Sequence, residues 1–152
     1  MKSPSWFTHR YPSLADLEAH AWLLGALVER GPCGEAGVVF VDPPGFTTIC
    51  LPEGLGPLDE MWQLAHELGH LIQHHGYTTE LAHDKQEAQA CRWAARALIP
   101  ESAIRRHRNA SMDAFIAALS AHYEEIPLMD CPQRRLAAEI AIIRLGAVEE
   151  VG

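Results

Sequence analysis

The chain has 152 residues, 48% hydrophobic and 21% charged, a balance that supports one ordinary domain with a real core; residues 1–152 are expected to form a single unit. Twelve basic residues against twenty acidic ones give a formal net charge of -8, which argues against a broad phosphate-binding surface and direct nucleic-acid binding. The same charge is compatible with a basic partner or substrate.

In chain order, residues 1–12 read as irregular, with Pro4 and Pro12 breaking the pattern. Ser13 stands three residues before Asp16, a variant of the capping signal, and opens the first helix. Leu14, Leu17, Ala21, Leu24 and Val28 continue it at helical spacing, and Gly31 and Pro32 are its expected stop. Gly37 to Val41 and Phe46 to Leu51 are rich in β-branched and aromatic residues and flank Asp42-Pro43-Pro44-Gly45, which predicts a hairpin. The strongest helix is expected from Asp59 to His75, with Met61, Leu64, Ala65, Leu68, Leu71 and Ile72 on one side. Asp59, Glu60, Gln63, His66, Glu67, His70, Gln73 and His74 fall on the other side, and Gly76 is the stop. A further helix is expected from Asp84 to Ile99, closed by Pro100. Two more are expected near Met112 to Tyr123 and from Pro132 to Leu145, the last ended by Gly146. The fold class these elements predict is α+β, a small antiparallel sheet packed with helices.

Cys33, Cys50, Cys91 and Cys131 form no C-x-x-C pair, so a zinc ribbon is not indicated, and buried free thiols are the expectation. No signal-peptide pattern opens the chain, and its apolar runs fall far short of the ~20 residues that span a bilayer. A cytoplasmic protein with no membrane partner is the reading that follows.

His66-Glu67-Leu68-Gly69-His70 is H-E-x-x-H inside a helix. Residues four apart rise one turn and point the same way, so two imidazoles can hold one zinc ion at ~2.0–2.1 Å each. Glu67 is rotated away from both histidines and is the candidate general base, taking a proton from water that zinc acidifies. The bland alternative is a polar helix face in water. A catalytic zinc wants a third protein ligand and one open position. His74 lies two turns from His66, and His75 points to the apolar side. Glu80, His83 and Asp84 are open possibilities. Glu87, seventeen residues after His70, is our choice, because a helical hairpin would carry it back to the site.

His66 to Pro100 resembles the ImmA/IrrE-type metallo-endopeptidases, whose pattern is H-E-L-G-H-L-hydrophobic-x-H, a variable loop, then E-x-x-A-N-x-F-A-A-x-L-hydrophobic-hydrophobic-P. Here the blocks are His66 to His74 and Glu87-Ala88-Gln89-Ala90-Cys91-Arg92-Trp93-Ala94-Ala95-Arg96-Ala97-Leu98-Ile99-Pro100. The resemblance implies that Glu87, which opens the second block, is the third ligand beside His66 and His70. It also implies zinc-dependent hydrolysis of a peptide bond in a protein substrate, most specifically a helix-turn-helix transcriptional repressor. Phe115 to Leu136, with the pair Arg135-Leu136, is similar to the family's C-terminal helices. Two positions depart from the pattern: Cys91 stands for the usual Asn and Trp93 for the usual Phe. Cys91 follows Glu87 by one turn and can be read as a packing residue, an outer-shell group or a fourth ligand. Tyr77, His83, His122 and Tyr123 are oxyanion-donor candidates by type only. An extended substrate is expected to add to a sheet edge, taken to be the Phe46 to Leu51 strand. The contrasting reading is a non-catalytic metal-binding module, an antirepressor or antitoxin-like partner, which an intact Glu67 disfavours.

Overall fold

The computed structural model describes residues 4, 6–32, 37–41, 46–73, 80–106, 111–124 and 134–151. In these, α1 (Trp6–His9) and α2 (Leu14–Leu23) lead into β1 (Ala26–Gly31), β2 (Gly37–Val41) and β3 (Phe46–Pro52). Then follow α3 (Pro57–Ile72), α4 (Glu80–Leu98), α5 (Glu101–Arg106), α6 (Met112–Glu124) and α7 (Arg134–Val151). The expected α+β class holds.

The capping signal at Ser13 forms as read. The Asp16 amide donates to Ser13 Oγ at 3.2 Å, and the Ser13 amide donates to Asp16 Oδ2 at 2.7 Å. Arg10 grips the same carboxylate through both terminal nitrogens. Together with the Ser13 bonds, this holds the Asp16 carboxyl far below the usual carboxylate range.

The first helix stops earlier than its apolar spacing suggested. Gly25 takes φ 81°, a left-handed conformation that ends a helix at little cost for glycine. Leu27 and Val28 therefore lie in β1 rather than on a helix. The helical spacing of Leu24 and Val28 is a coincidence of two elements meeting.

β1 makes the sheet mixed rather than antiparallel. β2 and β3 form the expected antiparallel pair, with Val38 opposite Ile49. β1 runs parallel to β3, with Val28 opposite Ile49. The strand order is β1-β3-β2, so β3 is central and both its edges are paired. This corrects the assignment of Phe46 to Leu51 as a free edge: the edges belong to β1 and β2. A parallel partner across a long connection leaves no local turn signal.

The sheet packs on α3 through Ile49 and Leu51, both fully buried, and Leu58, Leu64 and Leu68 complete the core from the helix side. α4 lies against α3 as its main helical neighbour, and α7 covers α4. Two side chains close the end of α4, where helix carbonyls lack intrahelical partners. Trp6 Nε1 donates to the Ala97 carbonyl at 3.0 Å, and Arg144 Nε to the Ile99 carbonyl at 2.8 Å. The first of these explains α1, a short helix inside a segment read as irregular: Trp6 and Phe7 are core residues. α7 also runs through Gly146, which was read as its stop. Cys50 is disulfide-bonded, against the free-thiol expectation, whereas Cys91 is free.

Candidate metal centre

α3 begins after Gly56 with Pro57 in its first turn, where a missing amide costs nothing. It carries His66, Glu67 and His70 on the face that the sequence marked as polar. That face is covered by α4. His66 and His70 side chains are 17% exposed, and Glu67 is buried.

The closeness of the two helices has a definite cause at Gly69. A Cβ built there would stand 2.8 Å from the Ala90 carbonyl oxygen and 3.0 Å from Ala90 Cα. Only glycine admits this approach, since backbone atoms of α4 cannot yield as a flexible side chain would. One turn further on, Gln73 Nε2 donates to the Gln89 carbonyl at 3.3 Å. These contacts bring Glu87, one turn before Ala90 and Cys91, over the two histidines.

Glu87 Oε2 lies 3.0 Å from His66 Nε2, and Glu87 Oε1 lies 2.9 Å from His70 Nε2. The two imidazole Nε2 atoms are 3.1 Å apart. The two imidazole planes meet at 85°, so the lone pairs converge from different directions. Glu87 thus sets one oxygen against each imidazole nitrogen, and donors this close together suit one shared ion, as zinc with two imidazoles and a carboxylate requires. His66, His70 and Glu87 form one convergent donor group, all its atoms within 4.8 Å of one another.

Glu67 is not part of that triangle. Burial, and then the negative charge of Glu87, push its carboxyl up to about 7. A carboxyl poised there exchanges protons near neutral pH. Trp62 lies against His66 at a ring separation of 6.3 Å and flanks the site.

The other candidates stand elsewhere. His83 and Asp84 are exposed on α4 and are not in the donor group. His74, His75 and Tyr77 lie outside the described residues, as do the side chains of Glu80 and Tyr123. His122 stacks on Tyr11 at 4.4 Å and borders a cavity of about 350 Å³ together with Pro57, Glu60 and Met61. None of His66, Glu67, His70 and Glu87 lines that cavity, so it is separate from the convergent donors.

Cys91 Sγ is 3.5 Å from His66 Nδ1, the ring nitrogen turned away from the triangle. No sequence signal distinguished this contact from simple packing. Trp93, the second departure from the family pattern, packs with Phe7 at 5.3 Å and with His20 at 6.1 Å.

An α+β scaffold in which a helix bearing H-E-x-x-H meets a carboxylate from the following helix defines the class: a metallohydrolase-type site. Residues 26–129 match the family model described as the IrrE N-terminal-like domain, a metallopeptidase family, and the chain belongs to it. The match spans β1 to the region after α6, about two thirds of the chain. It stops before Arg135-Leu136, so that part of the resemblance is not carried by it. No match is found among curated proteins or among solved structures. Among the described residues, no helix is long and apolar enough to cross a membrane.

Proposed function

We propose that this chain is a zinc-dependent endopeptidase that cuts a regulatory protein at a limited site. The observation that carries the reading is the convergence of His66, His70 and Glu87 within 2.9–3.1 Å, beside a buried carboxylate that the triangle does not use. His66 and His70 would hold zinc through Nε2, and Glu87 through a carboxylate oxygen. Zinc, when bound, supplies Lewis acidity, which acidifies water and polarises a carbonyl. Glu67 accepts the proton of the attacking water and returns it to the departing amine, a role open to a buried carboxylate that stands outside the donor group. An extended peptide would pair with an outer edge of the sheet, which among the described residues is formed by β1 and β2 and not by β3.

The substrate class follows from the family resemblance: a helix-turn-helix transcriptional repressor. A net charge of -8 supports docking onto a basic DNA-binding domain and disfavours DNA as the partner. The test is incubation of the zinc-loaded protein with the repressor encoded nearest to it, with fragments read by mass spectrometry. One or a few defined cuts, absent in Glu67→Gln, are expected. A stable complex without any cut, at confirmed zinc occupancy, would favour the non-catalytic module. Cutting of unfolded proteins at many sites would keep the peptidase and remove the regulatory role.

A further inference from the structure

The imidazole of His66 has two faces in this structure. Its Nε2 belongs to the donor triangle, 3.0 Å from Glu87 Oε2 and 3.1 Å from His70 Nε2. Its Nδ1 meets Cys91 Sγ at 3.5 Å. The thiol is half-buried, and it is not one of the groups that converge on the triangle. Cys91 therefore does not stand where a fourth ligand would.

Resting on the metal-centre reading above, we propose that Cys91 is a positioning residue: its sulfur accepts the Nδ1–H of His66 and so fixes the tautomer and ring orientation that present Nε2 to the metal. The chemistry follows from the ring. A neutral imidazole that gives Nε2 to a metal carries its proton on Nδ1, and a ligating histidine nearly always donates that proton to an acceptor. Acceptors in this place are ordinarily carboxylates, carbonyls or water. A thiol sulfur is a weaker acceptor, and its long contact suits a weak bond. The site is thus held more loosely than an amide oxygen at position 91 would hold it. Cys91 and Glu87 sit one turn apart on α4, so a single helix supplies both the third donor and the group that aims the first.

Zinc affinity, measured by chelator competition on the full chain, tests this in wild type, Cys91→Ala, Cys91→Asn, His66→Ala and Glu87→Ala. Cobalt absorption spectra are recorded in parallel. The expected loss for Cys91→Ala is about 10-fold, the lower end for a group of this kind. Cys91→Asn, whose amide oxygen can accept the same proton, should bind at least as tightly as wild type. The wild-type cobalt spectrum should lack a thiolate-to-metal charge-transfer band. Such a band, lost in Cys91→Ala, would make Cys91 a ligand and overturn the proposal. Unchanged affinity in Cys91→Ala overturns it too, provided that His66→Ala and Glu87→Ala lose zinc. If those two variants also keep full affinity, it is the metal-centre reading that fails. Should Cys91→Ala not fold, as judged by circular dichroism, Cys91→Asn decides: folded protein with weaker zinc binding than wild type counts against the proposal.

Discussion

Glu67 and His20 are two titratable side chains, the first buried and the second half-buried, whose environments have different consequences. Glu67 sits beside the donor triangle, with its carboxyl pushed up to about 7 by burial and then by Glu87. Glu67→Gln preserves size and removes proton acceptance. It should retain zinc stoichiometry and lower turnover by about 10²–10⁴-fold, measured with a verified substrate and metal analysis on one preparation. His20 lies between Trp6 at 5.7 Å and Trp93 at 6.1 Å, and its Nε2 has no hydrogen-bond partner among the described residues. Burial pushes its imidazolium form below the ordinary value of 6.5. The unfolded chain therefore takes up a proton that the folded chain refuses. This contribution to stability is complete above pH 6.5 and is lost as the pH falls from there towards the lower folded value. His20→Phe removes the titrating ring and keeps an aromatic between the two tryptophans. Its melting temperature should fall less than that of wild type when the pH is lowered from about 7.5 to about 5.5. Equal falls in both proteins would place the acid sensitivity elsewhere.

At the scale of elements, the candidate metal centre depends on how closely α3 and α4 approach. Gly69 within a helix costs about 1 kcal/mol relative to alanine on propensity alone. Gly69→Ala would regain that, but its Cβ would meet the Ala90 carbonyl at 2.8 Å. Overpacking against backbone costs about 1–3 kcal/mol and forces the helices apart, so net destabilisation is expected in chemical denaturation. The same displacement carries Glu87 away from His66 and His70, and zinc affinity should drop along with stability. Unchanged affinity in a destabilised Gly69→Ala would mean that Glu87 follows the histidines independently of α4. The capping box at α2 is a second local device. Ser13→Ala removes the acceptor for the Asp16 amide and should cost about 1 kcal/mol in the same measurement.

For the whole molecule, a bound metal would join α3 to α4 and thereby add to global stability. Any ligand held by the folded chain alone stabilises it by about 2.7 kcal/mol at one hundred times its dissociation constant. Excess zinc should therefore raise the melting temperature, and a chelator should reverse the rise. In Glu87→Ala the two conditions should give closely similar melting curves, because one of the three converging donors is gone. A full zinc-dependent rise in that variant would point to binding elsewhere in the chain.

His66, Glu67 and His70 were legible because one residue spacing on one helix already determines which way their side chains point. Glu87 was the choice on spacing, as a residue that a helical hairpin would carry back, and the family resemblance singled it out further, since a glutamate on an alanine-rich helix is otherwise a solvated residue. The β2–β3 pair could be read from β-branched and aromatic composition flanking a turn, and Ser13 with Asp16 from a local cap. The motif, hairpin and cap signals each lie within a few residues. The parallel β1 had no such signal. Its partner is more than a dozen residues away, and its apolar spacing continued that of α2. The place of β3 at the centre of the sheet, the Trp6 bond to α4 and the contact of Cys91 with His66 all join residues distant in sequence. Periodicity and motif spacing specify directions along a single element. Only the packing of elements against one another decides which groups meet across them, and here the missing side chain of Gly69 sets how closely α3 and α4 can meet.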